Sequence, residues 1–166
     1  MSTPTLADLK AFGNITISTD DVILQICLDQ SIDLIARVLG LEQLIAKDYT
    51  EIIYLPYDVN YFIPKNYPIN SITSIKTGDT TLDSTVYITD DTKTAIYKRG
   101  SLFLAGKYTV IYNAGWATLP KDLDYCIFVL ALRIYQTGDP GAVWSMDEDL
   151  IPKQIHNILE DIKYAR

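Results

Sequence analysis

The chain has 166 residues, 48% hydrophobic and 21% charged, enough for one domain with a real core or for a domain carrying an insertion. That composition excludes global disorder, and no apolar run approaches the ~20 residues of a membrane-spanning helix. The formal net charge of −7 argues against gripping DNA or RNA by phosphate neutralisation.

The charge is unevenly spread. Residues 1–48 carry seven acidic and three basic side chains, and residues 139–166 carry six and three. Residues 49–116 have six of each. The excess negative charge therefore sits toward both ends; this leaves room for a surface past which DNA slides without sticking, since like charges repel. The opening stretch "MSTPTLADLKAFGN" lacks the basic flank and apolar run of a secretory signal, and none is expected.

In chain order, Thr5 and Asp8 form a capping-box pattern that opens a short helix, "LADLKAF", stopped at Gly13. Ser18 and Asp21 repeat the signal before a second helix carrying Leu24, Leu28, Ile32, Ile35 and Leu39 at helical spacing. It is about 20 residues long and stops at Gly40, and "LEQLIA" adds a further turn. From Tyr49 the period changes. "YTEIIYLPY", "NYFIP", "INSITSIKTG", "STVYITD", "TAIYKR", "SLFLA" and "KYTVIYNAG" are β-branched and aromatic and are punctuated by Gly, Asp and Pro. They predict about seven short strands. Ile69, Ile72 and Ile75 are three apart, which imitates a helix, but the intervening Ser and Thr and the flanking Pro68 and Gly78 predict a strand with a bulge or bend. Asp90-Asp91 and Arg99-Gly100 mark hairpin turns.

Helical character returns at Pro120, followed by Asp122 and Asp124 in the first turn. The helix 120–136 is apolar on nearly every face, so most of it is buried. A last helix after Pro152 places Ile151, Ile155, Ile158, Leu159 and Ile162 on one face. The order is helices, strands, helices, without internal repeat. The fold class expected is α+β. The N- and C-terminal helices, 1–48 and 117–166, build one discontinuous helical domain, a helical bundle, and 49–116 is an inserted small antiparallel β-sheet unit. Gly115 and Trp116 form the joint where the inserted strands return to the helices.

A search for chemistry comes back nearly empty. His156 is the only histidine and falls at an exposed or rim position of the last helix. Neither a P-loop nor a GxSxG nucleophile elbow occurs. Cys27 and Cys126 lie in apolar helical patterns and read as reduced core thiols. Two Cys and one His make a poor metal set. The acidic pairs Asp90-Asp91 and Asp147-Glu148-Asp149 read as solvated turns rather than cation sites. No catalytic residue, cofactor or metal is expected. Tyrosine is the unusual feature: the chain has 12, nine of them between Tyr49 and Tyr112. Strand packing accounts for part of this. The stretch "YLPYDVNYFIPKNYP" instead has the aromatic, Pro-interrupted look of a contact loop, with Tyr54, Tyr57, Tyr61, Phe62 and Tyr67 as candidate contacts to a second subunit or a neck protein.

The succession "TLADLKAFGNI", "STDDVILQICLDQSIDLIARVLG", "YPINSITSIKTGD" and "YTVIYNAGWATLPKDLDYCIFVLALRIYQ" resembles the tailed-bacteriophage head–tail connector family, the neck adaptor or head-completion proteins. Trp116 stands where the family usually has another aromatic. The resemblance implies a structural virion protein of the neck, between capsid and tail, made in the host cytoplasm. It implies a ring of about twelve copies under the portal, a homo-oligomer with head-to-tail contacts. Such a ring extends the DNA channel, lets genomic DNA through without specific binding, and docks the next neck or tail protein. It also implies that the C-terminal segment reaches the portal, with Ile151, Ile155, Ile158, Leu159, Ile162, Tyr164 and Arg166 as candidate contact or core residues. A membrane plays no part. The alternative is a tail-side component or a β-rich binding module for peptide or carbohydrate; an enzyme is disfavoured because the usual constellations are missing.

Overall fold

Thr5 opens the first helix as expected. In the computed structural model, which describes residues 4–138 and 151–164, its hydroxyl accepts from the Asp8 amide and the Asp8 carboxylate accepts from the Thr5 amide. Helix α1 then spans Leu6–Phe12. Helix α2 spans Asp21–Val38, and Asp20, not Ser18, occupies its N-cap position. The Asp20 carboxylate makes no capping bond; it accepts from the Tyr135 hydroxyl instead, which raises the Tyr135 pKa. The Gly40 amide donates to the Arg37 carbonyl and the Leu41 amide to that of Ala36, with Gly40 at φ 72°. The left-handed Gly40, one residue past the C-cap Leu39, ends α2. The turn expected at "LEQLIA" is not helical. The chain there is already turning into the first strand.

Seven strands follow: β1 Lys47–Leu55, β2 Tyr61–Phe62, β3 Ile69–Thr77, β4 Thr80–Thr81, β5 Tyr87–Thr89, β6 Ile96–Lys98 and β7 Gly106–Ala114. They form two antiparallel sheets in the orders β1-β7-β3-β4 and β2-β6-β5. β7 is the central strand and alternates cleanly. Tyr108, Val110, Tyr112 and Ala114 are buried, while the residues between them are only partly so. The register shifts twice along β3, between Ile69 and Ser71 and between Ile72 and Ser74. Ile69, Ile72 and Ile75 therefore oppose Ala114, Tyr112 and Val110. Each shift inserts one residue, so an apolar spacing of three still faces one side. Both sheets contribute to one core, which includes Phe62, Ile75, Ile96, Phe103 and Tyr112. "SLFLA" is not a strand; its β-pairing is limited to an isolated bridge between Val59 and Phe103.

Helix α3 spans Lys121–Thr137 with Pro120 at its N-cap position, and α4 spans Lys153–Tyr164. Leu123, Cys126, Ile127, Leu130, Ala131 and Ile134 of α3 are buried, as are Leu24, Cys27, Leu28, Leu34 and Ile35 of α2. These two helices are the principal helix pair; α1 packs on both and α4 on α3. The Lys10 ammonium reaches the Asp21 carboxylate at 2.6 Å between α1 and α2. Among the described residues, four helices and small antiparallel sheets make an α+β fold.

The chain divides into two compact units. One draws on Met1–Leu44 and Thr118–Ala165, the other on Ile45–Ala117. The second unit starts and ends at the same place. Ile45 bridges Trp116, and the Ala46 amide donates to the Trp116 carbonyl at 3.1 Å. Gly115 lies in that bridge at φ 109°, and a Cβ there would stand 2.8 Å from the Ile45 backbone. Its amide donates to the Pro68 carbonyl, and its carbonyl accepts from Asn70 Nδ2. The half-buried Trp116 ring meets Tyr67 edge-on at 6.3 Å.

Gly115→Ala is expected to destabilise the protein by about 3 kcal/mol or more, because backbone strain and a backbone clash coincide. Gly40→Ala, also at positive φ but with open space around it, is expected to cost about 1 kcal/mol. Chemical denaturation of the two variants checks the contrast; equal losses would contradict the close approach.

Candidate functional site

The tyrosines of the β unit divide by position. Tyr49, Tyr67, Tyr87, Tyr108 and Tyr112 are buried. Tyr49 and Tyr112 oppose each other across β1 and β7, with ring centroids 5.7 Å apart. The Tyr112 hydroxyl donates to Glu51 Oε2 at 2.7 Å and accepts from the Asn66 amide. The Lys65 amide donates to the same carboxylate at 3.0 Å. Burial first, and then the bond to Glu51, pushes the Tyr112 hydroxyl far up. This network holds the loop 63–68, which contains a cis Tyr67–Pro68 peptide, onto the sheet. Tyr67 thus belongs to the fold rather than to a contact surface. Phe62 does too: it is 5% exposed and packs on Phe103 at 4.8 Å.

The other candidates face outward. Tyr54 is 70% exposed and Tyr57 68%, and Tyr61 stacks on Tyr97 at 5.1 Å in solvent reach. The bridge between Val59 and Phe103 brings segment 57–61 beside Leu102 and Leu104, and the Asp58 carboxylate fixes this pairing by accepting from the Ala105 amide at 2.7 Å. The result is an open groove of about 650 Å³ lined by Tyr57, Val59, Tyr61, Ile63 and Leu102, with Asp58 and Asn60. Two lysines of the same unit lie outside this lining and engage a backbone or an aromatic group. Lys98 Nζ donates to the Leu102 carbonyl at 2.8 Å, and Lys107 Nζ lies 6.0 Å above the Tyr54 ring. Leu102 and Leu104 had no separate signal in the sequence, since "SLFLA" looks like any other strand.

In the helical unit, Ile151, Ile155 and Leu159 are buried and form core. Ile158 and Ile162 are half-buried on α4. Tyr164 ends the helix, and Arg166 lies outside the described residues. Beside the start of α4, Phe12, Val129, Leu132, Arg133, Gln136 and Pro152 surround an open cavity of about 400 Å³.

No arrangement for catalysis appears among these groups. His156 is half-buried on α4. Cys27 and Cys126 are free and buried, which raises both thiols, Cys126 to about 11 with Asp122 adding to the effect of burial. A thiol held that high is a poor nucleophile. Burial opposes the charge of Asp90, but bonds from Ala95, Thr92 and Thr94 outweigh it and hold the carboxyl below its ordinary range. That carboxylate is engaged by its own turn, and no His/Cys/Asp/Glu group among the described residues is suited to a metal ion. Asp147-Glu148-Asp149 lie outside the described residues. No described helix is long and apolar enough to cross a membrane.

Truncation separates the two kinds of aromatic. Tyr57→Ala is expected to change stability by less than about 0.5 kcal/mol, and Phe62→Ala to cost about 3–5 kcal/mol. Thermal and denaturant unfolding of each variant checks this, and a large loss on Tyr57→Ala would contradict its outward placement.

Several solved structures share the fold, among them three chains from gene transfer agent particles. A chain from the neck of an empty gene transfer agent particle, computed with C6 symmetry, matches with a TM-score of 0.71 at 16% identity, covering 96% of this chain and 88% of that one. A chain of the native gene transfer agent virion matches at 0.69 and 17%, covering 96% and 88%. One from the neck of the native particle, computed with C12 symmetry, matches at 0.65 and 16%, covering 97% and 91%. No curated protein is detectably similar in sequence. The profile of the head completion proteins, however, runs through both units of the chain, from residue 4 to residue 164, and the chain therefore belongs to the head completion protein family.

Proposed function

We propose that this chain is a structural head–tail connector protein of the virion neck, and that its work is assembly and not catalysis. The observation that carries the reading is the head completion profile across residues 4–164. Copies close into a ring under the portal, with twelve subunits as the number suggested by the C12 symmetry of the gene transfer agent neck. The ring extends the DNA channel and presents a docking surface to the next neck or tail protein. Its charge suits a channel wall. A chain with net charge −7, repeated around a ring, repels DNA and lets it pass without holding it.

The helical unit carries the portal-facing segment. Ile151, Ile155 and Leu159, being buried, anchor α4. Ile158 and Ile162, with Tyr164 and Arg166 beyond them, are the part of that segment left to meet the portal. The groove lined by Tyr57 and Tyr61, together with the exposed Tyr54, is the candidate for contact with a second copy or a neck protein, while Phe62 and Tyr67 are buried within the unit.

Electron microscopy of the purified protein, alone and mixed with portal, tests the reading. Rings are expected, either free or seated on the portal. A chain that stays monomeric in both samples would overturn it.

A further inference from the structure

The groove at Tyr57 and Leu102 is formed within the β unit alone. A pair of backbone bonds ties its walls, the Val59 amide to the Phe103 carbonyl at 2.9 Å and the Phe103 amide to the Val59 carbonyl at 2.7 Å. The Tyr61 ring is held by its stack on Tyr97, and Tyr57, Ile63 and Leu102 are exposed beside it. Among the described residues, Asp58 is the only charged side chain in the lining. Its Oδ1 accepts from the Ala105 amide at 2.7 Å, which fixes the carboxylate and leaves Oδ2 without a bond among the described residues. No described cation of the chain pairs with it; Lys98 and Lys107 are turned to the Leu102 carbonyl and the Tyr54 ring.

An anion fixed beside tyrosine faces suits one chemistry, a planar cation with apolar neighbours. Ring faces attract positive charge. A guanidinium can lie on Tyr57 or Tyr61 while donating to Asp58, which the point charge of a lysine does less well. Ile63 and Leu102 then take the adjoining apolar side chains. We propose that this groove docks an arginine of a different protein, carried on a segment with apolar residues to either side. The proposal deepens the contact role that the neck reading gives the groove, by naming what enters it. The chain's net charge of −7 favours a basic partner over a second copy, because two acidic chains repel where a basic one is drawn in. Walls and carboxylate fixed in advance lower the cost of ordering them on binding.

The test titrates the isotope-labelled full chain with an acetylated, amidated Leu-Arg-Leu peptide, followed by amide chemical shifts, with Leu-Gln-Leu and Leu-Lys-Leu as controls. The Arg peptide is expected to bind about fivefold or more tighter than the Gln peptide, with the Lys peptide between them. It should move the amides of segment 57–63 and of Leu102, and weaken as salt is added. Asp58→Asn keeps an oxygen for the Ala105 amide, so it should fold like wild type and bind the Arg and Gln peptides equally. No binding, equal affinity for the two peptides in wild type, shifts confined to another surface, or a preference for Arg that survives Asp58→Asn would each overturn the proposal. So would the loss of rings in Asp58→Asn under conditions where wild type forms them, because the occupant would then be a second copy. Rings in wild type without peptide binding would overturn this inference and leave the neck reading intact. Arg-selective binding by a chain that forms no rings, alone or with portal, would do the reverse.

Discussion

The structure depends on one close approach, where Ile45 and Trp116 run side by side with Gly115 between them and the sheet. No side chain fits there, because the Ile45 backbone occupies the space a Cβ would need. The consequence is topological. A segment that begins and ends at one point can fold on its own without separating what flanks it. Residues up to Leu44 and from Thr118 onward are thus free to share a unit, although the β segment intervenes in the chain. The antiparallel pairing of β1 with β7, running without a break from Lys47–Ala114 to Leu55–Gly106, extends the same closure into the sheet.

Each unit then carries its own division of labour. In the β unit, β7 supplies a buried row, and the Glu51–Tyr112–Asn66 bonds clamp the long loop. The aromatic residues not needed inside, Tyr54, Tyr57 and Tyr61, stand outside. In the helical unit, α2 and α3 are largely apolar toward each other, yet α2 keeps Val22 and Ile26 exposed. Surface apolar residues are ordinary singly, and a cluster of them is a candidate place for another molecule to dock. A protein that works by assembling needs such places more than it needs a reactive group. Among its titratable residues, burial raises both thiols, and the bonds of its own turn hold the Asp90 carboxyl down.

Where local chemistry decides, the sequence was readable. The capping box at Thr5 and Asp8, the stop at Gly40 and the helix start at Pro120 each depend on a few neighbouring residues, and all three stand in the structure. The bulged strand at Ile69–Ile75 was also legible, because Ser, Thr and Pro argued against a helix; the two register shifts show why the spacing was three. What failed depended on distant partners. Ser18 lost the cap to Asp20, whose carboxylate is claimed by Tyr135 far along the chain. "SLFLA" has strand composition but only one bridging partner, and β4 was too short and polar to signal itself. The aromatic loop could not be sorted from composition: Tyr57 and Phe62 look alike in sequence, and distant partners such as Phe103 and Tyr108 decide that Phe62 is core while Tyr57 stays at the surface.

The central claim is that the two ends of the chain stabilise each other as one cooperative unit. Native-state amide hydrogen exchange on Leu130→Ala tests it most directly, since Leu130 is buried in α3. Amides of α2, remote in sequence, should lose protection together with those of α3, while the β1 and β7 amides keep theirs. Protection of α2 that is unchanged while α3 opens would contradict the account.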